Sequence, residues 1–121
     1  MWIETKNLFD FPPAAVQDGR EYSETLLTGA GNLRLVRILT PDDAPAGVLW
    51  YDQEQDEWAA VLEGEAVIAF ADGRECTLVK GSYIFLPAHV RHCVRRVSAP
   101  CVWLAVHGDT LLPPPDGRAT L

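Results

Sequence analysis

The chain has 121 residues, 48% of them hydrophobic and 22% charged, with a net charge of −7 and a mean hydropathy near zero. That length suits one domain around one core, and the composition excludes a disordered or collagen-like chain. The acidic balance argues against a nucleic-acid partner, because phosphate binding rests on clustered Lys and Arg.

The opening Met1-Trp2-Ile3-Glu4 lacks the basic stretch and apolar core of a leader segment, and no apolar run approaches the roughly 20 residues of a membrane span. A cytoplasmic protein with no membrane contact is expected. Residues 1–29 carry Phe9, Phe11, Pro12 and Pro13 without a sustained period. They predict an extended arm whose aromatics pack on the domain or on a second subunit. From residue 30 to 108 the apolar runs are short and β-branched, with turn residues about every ten positions, the pattern of an all-β sandwich or barrel. The predicted strands are Leu33 to Leu39, Val48 to Tyr51, Trp58 to Leu62, Ala66 to Phe70, Glu75 to Val79, Tyr83 to Leu86, Cys93 to Val97 and Val102 to His107. Glu63-Gly64-Glu65 and Asp72-Gly73 are placed at hairpin turns, the second of type I′. Lys80-Gly81 and Ser98-Ala99-Pro100 mark two more turns, with Gly81 expected at φ > 0. Residues 109–121, with Pro113-Pro114-Pro115, extend neither sheet nor helix and are expected to be mobile. Cys76, Cys93 and Cys101 are odd in number and lack C-x-x-C spacing, so they read as free thiols.

Charge is unevenly distributed along the chain. Ile38 to Gly73 holds nine acids and no Lys or Arg, whereas Arg74 to Arg96 holds five bases against the single acid Glu75. These stretches are expected to meet as exposed ion pairs. Apolar residues fall on both faces of Trp58 to Leu62 and of Val102 to Val106. A strand apolar on both sides needs both covered, and a small barrel has one interior. The arm or a second copy must cover the outside, and a homodimer is expected because twofold pairing is the commonest assembly.

Two segments carry the chemistry. Tyr51-Asp-Gln53-Glu-Gln-Asp-Glu57 is followed by Gly64, and Gly81-Ser-Tyr-Ile-Phe-Leu-Pro87-Ala-His89-Val-Arg-His92 begins after sixteen intervening residues. Together they resemble the two motifs of the cupin superfamily, H-x-H-x3-E-x6-G and G-x5-P-x-G-x2-H-x3-N. Glu57-x6-Gly64 and Gly81-x5-Pro87-x4-His92 match without a gap. The string from Trp50 to Trp58 and the run Val102-Trp-Leu-Ala-Val-His107 are similar to those of small single-domain bacterial cupins. The resemblance implies a double-stranded β-helix, the jelly-roll barrel of two antiparallel sheets, over residues 30–108. It also implies a pocket inside the barrel that holds one divalent metal ion (Zn, Fe, Ni or Mn) at the motif positions. Strand alternation supports the placement independently, since Tyr51, Gln53 and Glu57 share parity in an extended chain.

The sequence departs from the motif where it matters. Tyr51 and Gln53 stand at the two motif histidines, so Glu57 and His92 remain of the usual four ligands. An amide oxygen is a weak ligand and a phenol must first lose a proton, which lowers the expected metal affinity. Gln53, Glu57, His92 and His107 form the expected metal set, with Glu57 and His92 as catalytic residues. Tyr51, Phe85, His89, Arg96 and Trp103 are the expected pocket residues, Arg96 as a possible anchor for a substrate carboxylate. Three functions fit: a metal-dependent oxygenase, isomerase or lyase on a small polar organic molecule; a metal-free binding or sensing module; and metal-free acid/base catalysis with Glu57 as base and His92 as acid.

Overall fold

The computed structural model describes residues 2–16, 21–40, 50–98 and 100–115. Its strands are β1 (Tyr22–Gly29), β2 (Leu33–Thr40), β3 (Asp56–Glu63), β4 (Ala66–Phe70), β5 (Glu75–Leu78), β6 (Tyr83–Leu86), β7 (His92–Val97) and β8 (Cys101–Gly108). They form a five-stranded antiparallel sheet in the order β1-β2-β8-β3-β6 and a three-stranded one in the order β5-β4-β7. This is the two-sheet jelly-roll barrel expected from the sequence. The predicted bounds of β4 and β6 are met, and the other matched strands run one or two residues longer or shorter at their ends. Of the predicted strand Val48 to Tyr51, residues 48 and 49 lie outside the described residues, and Tyr51 makes only an isolated antiparallel bridge to His92. Residues 116–121 of the tail also lie outside them.

Strand β1 falls within the segment read as arm and was not predicted. It is an edge strand, mostly exposed on both faces, so it carries no apolar alternation to reveal it. Its pairing with β2 shifts register between Thr25 and Leu27. Such a bulge twists a free edge away from further strand addition.

Two of the predicted turns differ in kind. Glu63-Gly64-Glu65 is no hairpin, because β3 pairs with β6 and β8 while β4 pairs with β5 and β7. The chain instead crosses from one sheet to the other there. The crossing packs on the β7 to β8 crossing, where Ser98 N–H donates to the Glu65 carbonyl at 2.9 Å and Glu65 N–H to Ser98 Oγ at 2.8 Å. The Asp72-Gly73 turn does join paired strands, but only Gly73 has a positive φ (92°), whereas type I′ needs two such residues. Gly73 N–H donates to the Phe70 carbonyl and Phe70 N–H to the Arg74 carbonyl, the bonding of a three-residue loop with a left-handed last residue. Gly81 has φ 89°, as expected.

The inner faces build the core around Val61, Ile68, Leu78, Cys101 and Trp103, all buried. Each large apolar side chain so buried contributes about 1.5–3 kcal/mol. All three thiols are free, Cys93 and Cys101 being buried. On the outer face of the larger sheet, Ala15, Leu39 and Val102 form a second cluster with Phe11, Tyr22 and Leu62 against it. Arg37, 8% exposed, ties the arm down: its guanidinium donates to the carbonyls of Asn7, Leu8 and Asp10, pairs with Glu24 at 2.7 Å and lies 4.4 Å over the Phe11 ring. The arm therefore covers part of that outer face. The charge runs meet through Lys80–Glu63 and Arg74–Asp72, while Arg95–Glu75 pairs within the basic run; all three are exposed pairs that add little stability. Among the described residues no helix is long and apolar enough to cross a membrane.

Candidate functional site

A cavity of about 210 Å³ opens into the barrel, and Tyr51, Gln53, Glu57, His92, Trp103 and His107 line it. Strand register explains how three of the wall residues come together. Arg34 of β2 stands opposite His107 of β8, and His107 stands opposite Glu57 of β3. Arg34, His107 and Glu57 thus form one transverse row across three adjacent strands, all with side chains on the cavity wall. His107 Nε2 lies 4.0 Å from Glu57 Oε2, too far for a hydrogen bond and wide enough for a ligand oxygen to approach both.

His92 opens β7 on the facing sheet. Its backbone exchanges two hydrogen bonds with Tyr51, at 2.7 and 3.1 Å, and the two rings stack with centroids 5.6 Å apart. His92 Nδ1 lies 2.8 Å from the Val90 carbonyl, which only accepts, so Nδ1 carries the proton and Nε2 bears the lone pair in the neutral ring. Gln53 is held by its own carbonyl, which accepts from His89 N–H at 2.8 Å. Asp56 braces the same end. One of its carboxylate oxygens accepts from Ala88 N–H and the other from Leu111 N–H, and these bonds hold the carboxyl below the usual range.

Tyr51 and Gln53 reach the cavity by a different route from simple alternation. Tyr51 pairs with the β7 end of the small sheet, Glu57 lies in the large sheet, and the chain bends at residues 54–55 between them. The shared parity of the three residues is therefore not that of one continuous strand.

Charge in the cavity is tuned by enclosure. Burial pushes the Tyr51 phenol up, with further upward push from Glu21 and Glu57. The Glu21 carboxyl also reaches the cavity, although the residue keeps solvent contact; burial and then the Glu57 charge raise it, and a hydrogen bond with Thr40 offsets part of the rise. Burial lowers His107, against the upward pull of Glu57 and together with the charge of Arg34. The net effect favours the neutral imidazole at His107. The Cys101 thiol is pushed up to about 12 by burial and the Glu21 charge, which leaves it unreactive.

Phe85, His89 and Arg96 do not line this cavity among the described residues. Phe85 has the outward parity of Tyr83, and it lines a separate groove with Phe70, Cys76 and Pro87. His89 occupies the position of a motif glycine and adopts φ 66°, the left-handed conformation that explains a glycine there. That turn aims its ring outward to Asp52, at 2.7 Å, with two-thirds of the side chain exposed. Arg96 is exposed on the outside of the small sheet. Glu21, Ser23 and Arg34 line the cavity and were not anticipated.

The donor set does not fit a resident divalent ion. Among the described residues no three His, Cys, Asp or Glu side chains converge as a metal-holding group. The donors that replace the two motif histidines are a neutral amide and a phenol whose ionisation is made harder by its surroundings.

Comparison with known proteins places this architecture. A protein of Ralstonia eutropha JMP134 provisionally named a mannose-6-phosphate isomerase is 37% identical, over 89% of this chain and 100% of its own, with a TM-score of 0.73. An RmlC-like cupin from Shewanella frigidimarina NCIMB 400 superposes with a TM-score of 0.64 at 21% identity, over 76% of this chain and 78% of its own. A Rhizobium leguminosarum bv. viciae 3841 protein of unknown function does so at 0.69 and 16% identity, over 91% of this chain and 100% of its own. These last two likenesses are of fold alone. No curated protein matches the sequence. The model of the Cupin domain family matches residues 39–107, from the end of β2 to the histidine of the transverse row, and with the barrel and the Ralstonia relative it shows that the chain belongs to the cupin family.

Proposed function

We propose that this cupin binds a small polar organic molecule inside the barrel and moves protons on it without a resident metal, as an isomerase or lyase does. The observation that supports the reading is that Glu57, His92 and His107 line one cavity while, among the described residues, they are not grouped closely enough to hold a metal ion. Glu57 takes the proton from a carbon beside a carbonyl and returns it to the neighbouring carbon. His92 works through Nε2, since Nδ1 is committed to Val90. It takes a hydroxyl proton as neutral imidazole and delivers it to the carbonyl oxygen as imidazolium, so it serves as both acceptor and acid. The neutral His107 beside Glu57 supplies a hydrogen-bonding partner for a substrate oxygen. Mannose 6-phosphate is the first compound to try, because the Ralstonia relative carries that name.

The test is solvent exchange. Incubated in D₂O with mannose 6-phosphate and a panel of small hydroxy-ketones, the protein is expected to wash deuterium into the carbon next to the carbonyl, as read by proton NMR. Ligand binding without any exchange would leave a binding module instead. Metal analysis of freshly purified protein is expected to find well under one divalent ion per chain, and EDTA to leave both exchange and melting temperature unchanged. Stoichiometric metal that disappears in His92→Ala would restore the metal-dependent reading.

The same reading includes a homodimer. Beyond the part covered by the arm, Leu27 and Tyr83 remain 53% and 55% exposed beside the half-buried Leu35, Trp58, Leu104 and Val106, all on the outer face of the large sheet. A contiguous apolar surface of this kind suits an isologous contact between copies. Sedimentation equilibrium at micromolar concentration is expected to give twice 13.4 kDa. A clean monomer would refute the dimer and leave the arm as the cover, in which case removing residues 1–16 should cause aggregation.

A further inference from the structure

Arg34 is the only Lys or Arg on the cavity lining among the described residues. It also lines the wider cleft outside, about 560 Å³, with Asn32, Gln53 and His107, so it stands where the cleft narrows into the barrel. The ion pairs of the described residues join Arg37, Arg74, Lys80, Arg95, His89 and His107 to acids, and none includes Arg34. The acids nearby are otherwise engaged or open to water. Asp109 accepts from Gln55 Nε2 and Asn32 Nδ2, one on each oxygen, both at 3.1 Å, and Glu54 is exposed. Among the described residues the exposed Arg34 guanidinium thus has no carboxylate partner, and at the mouth of a cavity in an acidic protein it is a fork suited to one anionic group.

We propose that the molecule taken into the barrel carries a phosphate or a carboxylate, that Arg34 holds this group at the mouth, and that the uncharged end reaches inward to Glu57 and His92. The register sets the scale. Arg34 and Glu57 lie two strands apart, about 10 Å between backbones at the usual strand spacing, with His107 between them. Side chains reaching toward each other leave room for a ligand a few bonds long. Of the two carboxyls on the cavity lining, Glu21 has its pKa raised by desolvation and then by the Glu57 charge, which eases the repulsion an anion would meet. The sequence had offered Arg96 for this role, and the structure assigns it to Arg34. The assignment rests on the cavity being a substrate site; it does not require that proton transfer occurs there.

The test uses phosphate and, separately, acetate against chloride at matched ionic strength, with the His107 ring protons as NMR reporter. In the wild type at least one of the two anions is expected to shift the His107 resonances saturably, and Arg34→Gln should weaken that response at least tenfold while leaving the melting temperature near its original value. Response to phosphate alone identifies a phosphorylated ligand, response to acetate alone a carboxylate, and either supports the assignment. No shift with either anion, or equal shifts in Arg34→Gln, would overturn it. Glu57→Gln separates the two readings: an anion response that persists there, with exchange absent even in the wild type, sinks proton transfer and leaves the Arg34 site standing.

Discussion

Gly64→Ala is expected to prevent the barrel from folding at 37 °C, a far larger effect than the same change at any other glycine of the turns. Gly64 has φ 86°, which costs an alanine about 1–2 kcal/mol. The decisive term is contact. A Cβ at Gly64 would lie 2.5 Å from the Pro100 carbonyl oxygen, 3.1 Å from Cys101 Cα and 3.3 Å from the Ser98 carbonyl oxygen. All three are backbone atoms of the other sheet crossing, so no side chain can swing aside. Relief requires parting two crossings that are tied by the Ser98 and Glu65 hydrogen bonds, and several kcal/mol is a large share of the roughly 5–15 kcal/mol that holds a domain. Gly81 is the control. Its φ is 89°, but a Cβ there meets nothing within 4 Å. Gly81→Ala should therefore cost only the backbone term and lower the melting temperature by about 5–10 °C. Thermal melts of both variants decide it: equal losses would remove close approach as the reason for a glycine at position 64.

The contrast shows what kind of information the sequence holds. The spacing Glu57-x6-Gly64 carries the family likeness, and a glycine between two strands signals a turn, but nothing local tells whether the strand that follows pairs with the one before. Long-range pairing of β3 with β8, forty-odd residues away, decides that. The strands with buried residues were readable because half of each must be apolar. Edge strand β1 was not, since solvent on both sides leaves no pattern.

The site was legible in proportion to how far motif and alternation constrain it. Glu57 and His92 follow from the motif, and His107 and Trp103 from the parity of β8. Arg34 could not be singled out. In β2 one face presents Arg34, Val36 and Ile38, and the other Leu35, Arg37 and Leu39, so each has one arginine among aliphatics. Only the fold shows that Arg37 binds the arm while Arg34 faces the cavity. Phe85 failed for a related reason: its strand, Tyr83-Ile-Phe-Leu86, is apolar throughout, and size alone does not say which face is inside.

Glu57→Gln is expected to reduce solvent exchange at least a hundredfold, the scale of a general base in a positioned site, while the melting temperature stays near that of the wild type. The amide keeps the shape of the carboxylate, and His107 Nε2, 4.0 Å from Glu57 Oε2, is too far away to be a hydrogen-bonded partner that the change would strand. The variant also has a spectroscopic signature independent of turnover. Because the Glu57 charge pulls the His107 pKa upward against burial and Arg34, removing that charge should move His107 further down, as followed by NMR titration of its ring. His92→Ala is expected to abolish exchange as well, but with some loss of stability. It deletes a buried ring stacked on Tyr51 and strands the Val90 carbonyl. His92→Gln, which retains a donor for that carbonyl, separates lost chemistry from lost packing. If Glu57→Gln and His92→Gln both exchange at the wild-type rate while His107 titrates lower in the first, the carboxylate is where the fold places it and is not the base, and proton transfer on these residues is ruled out.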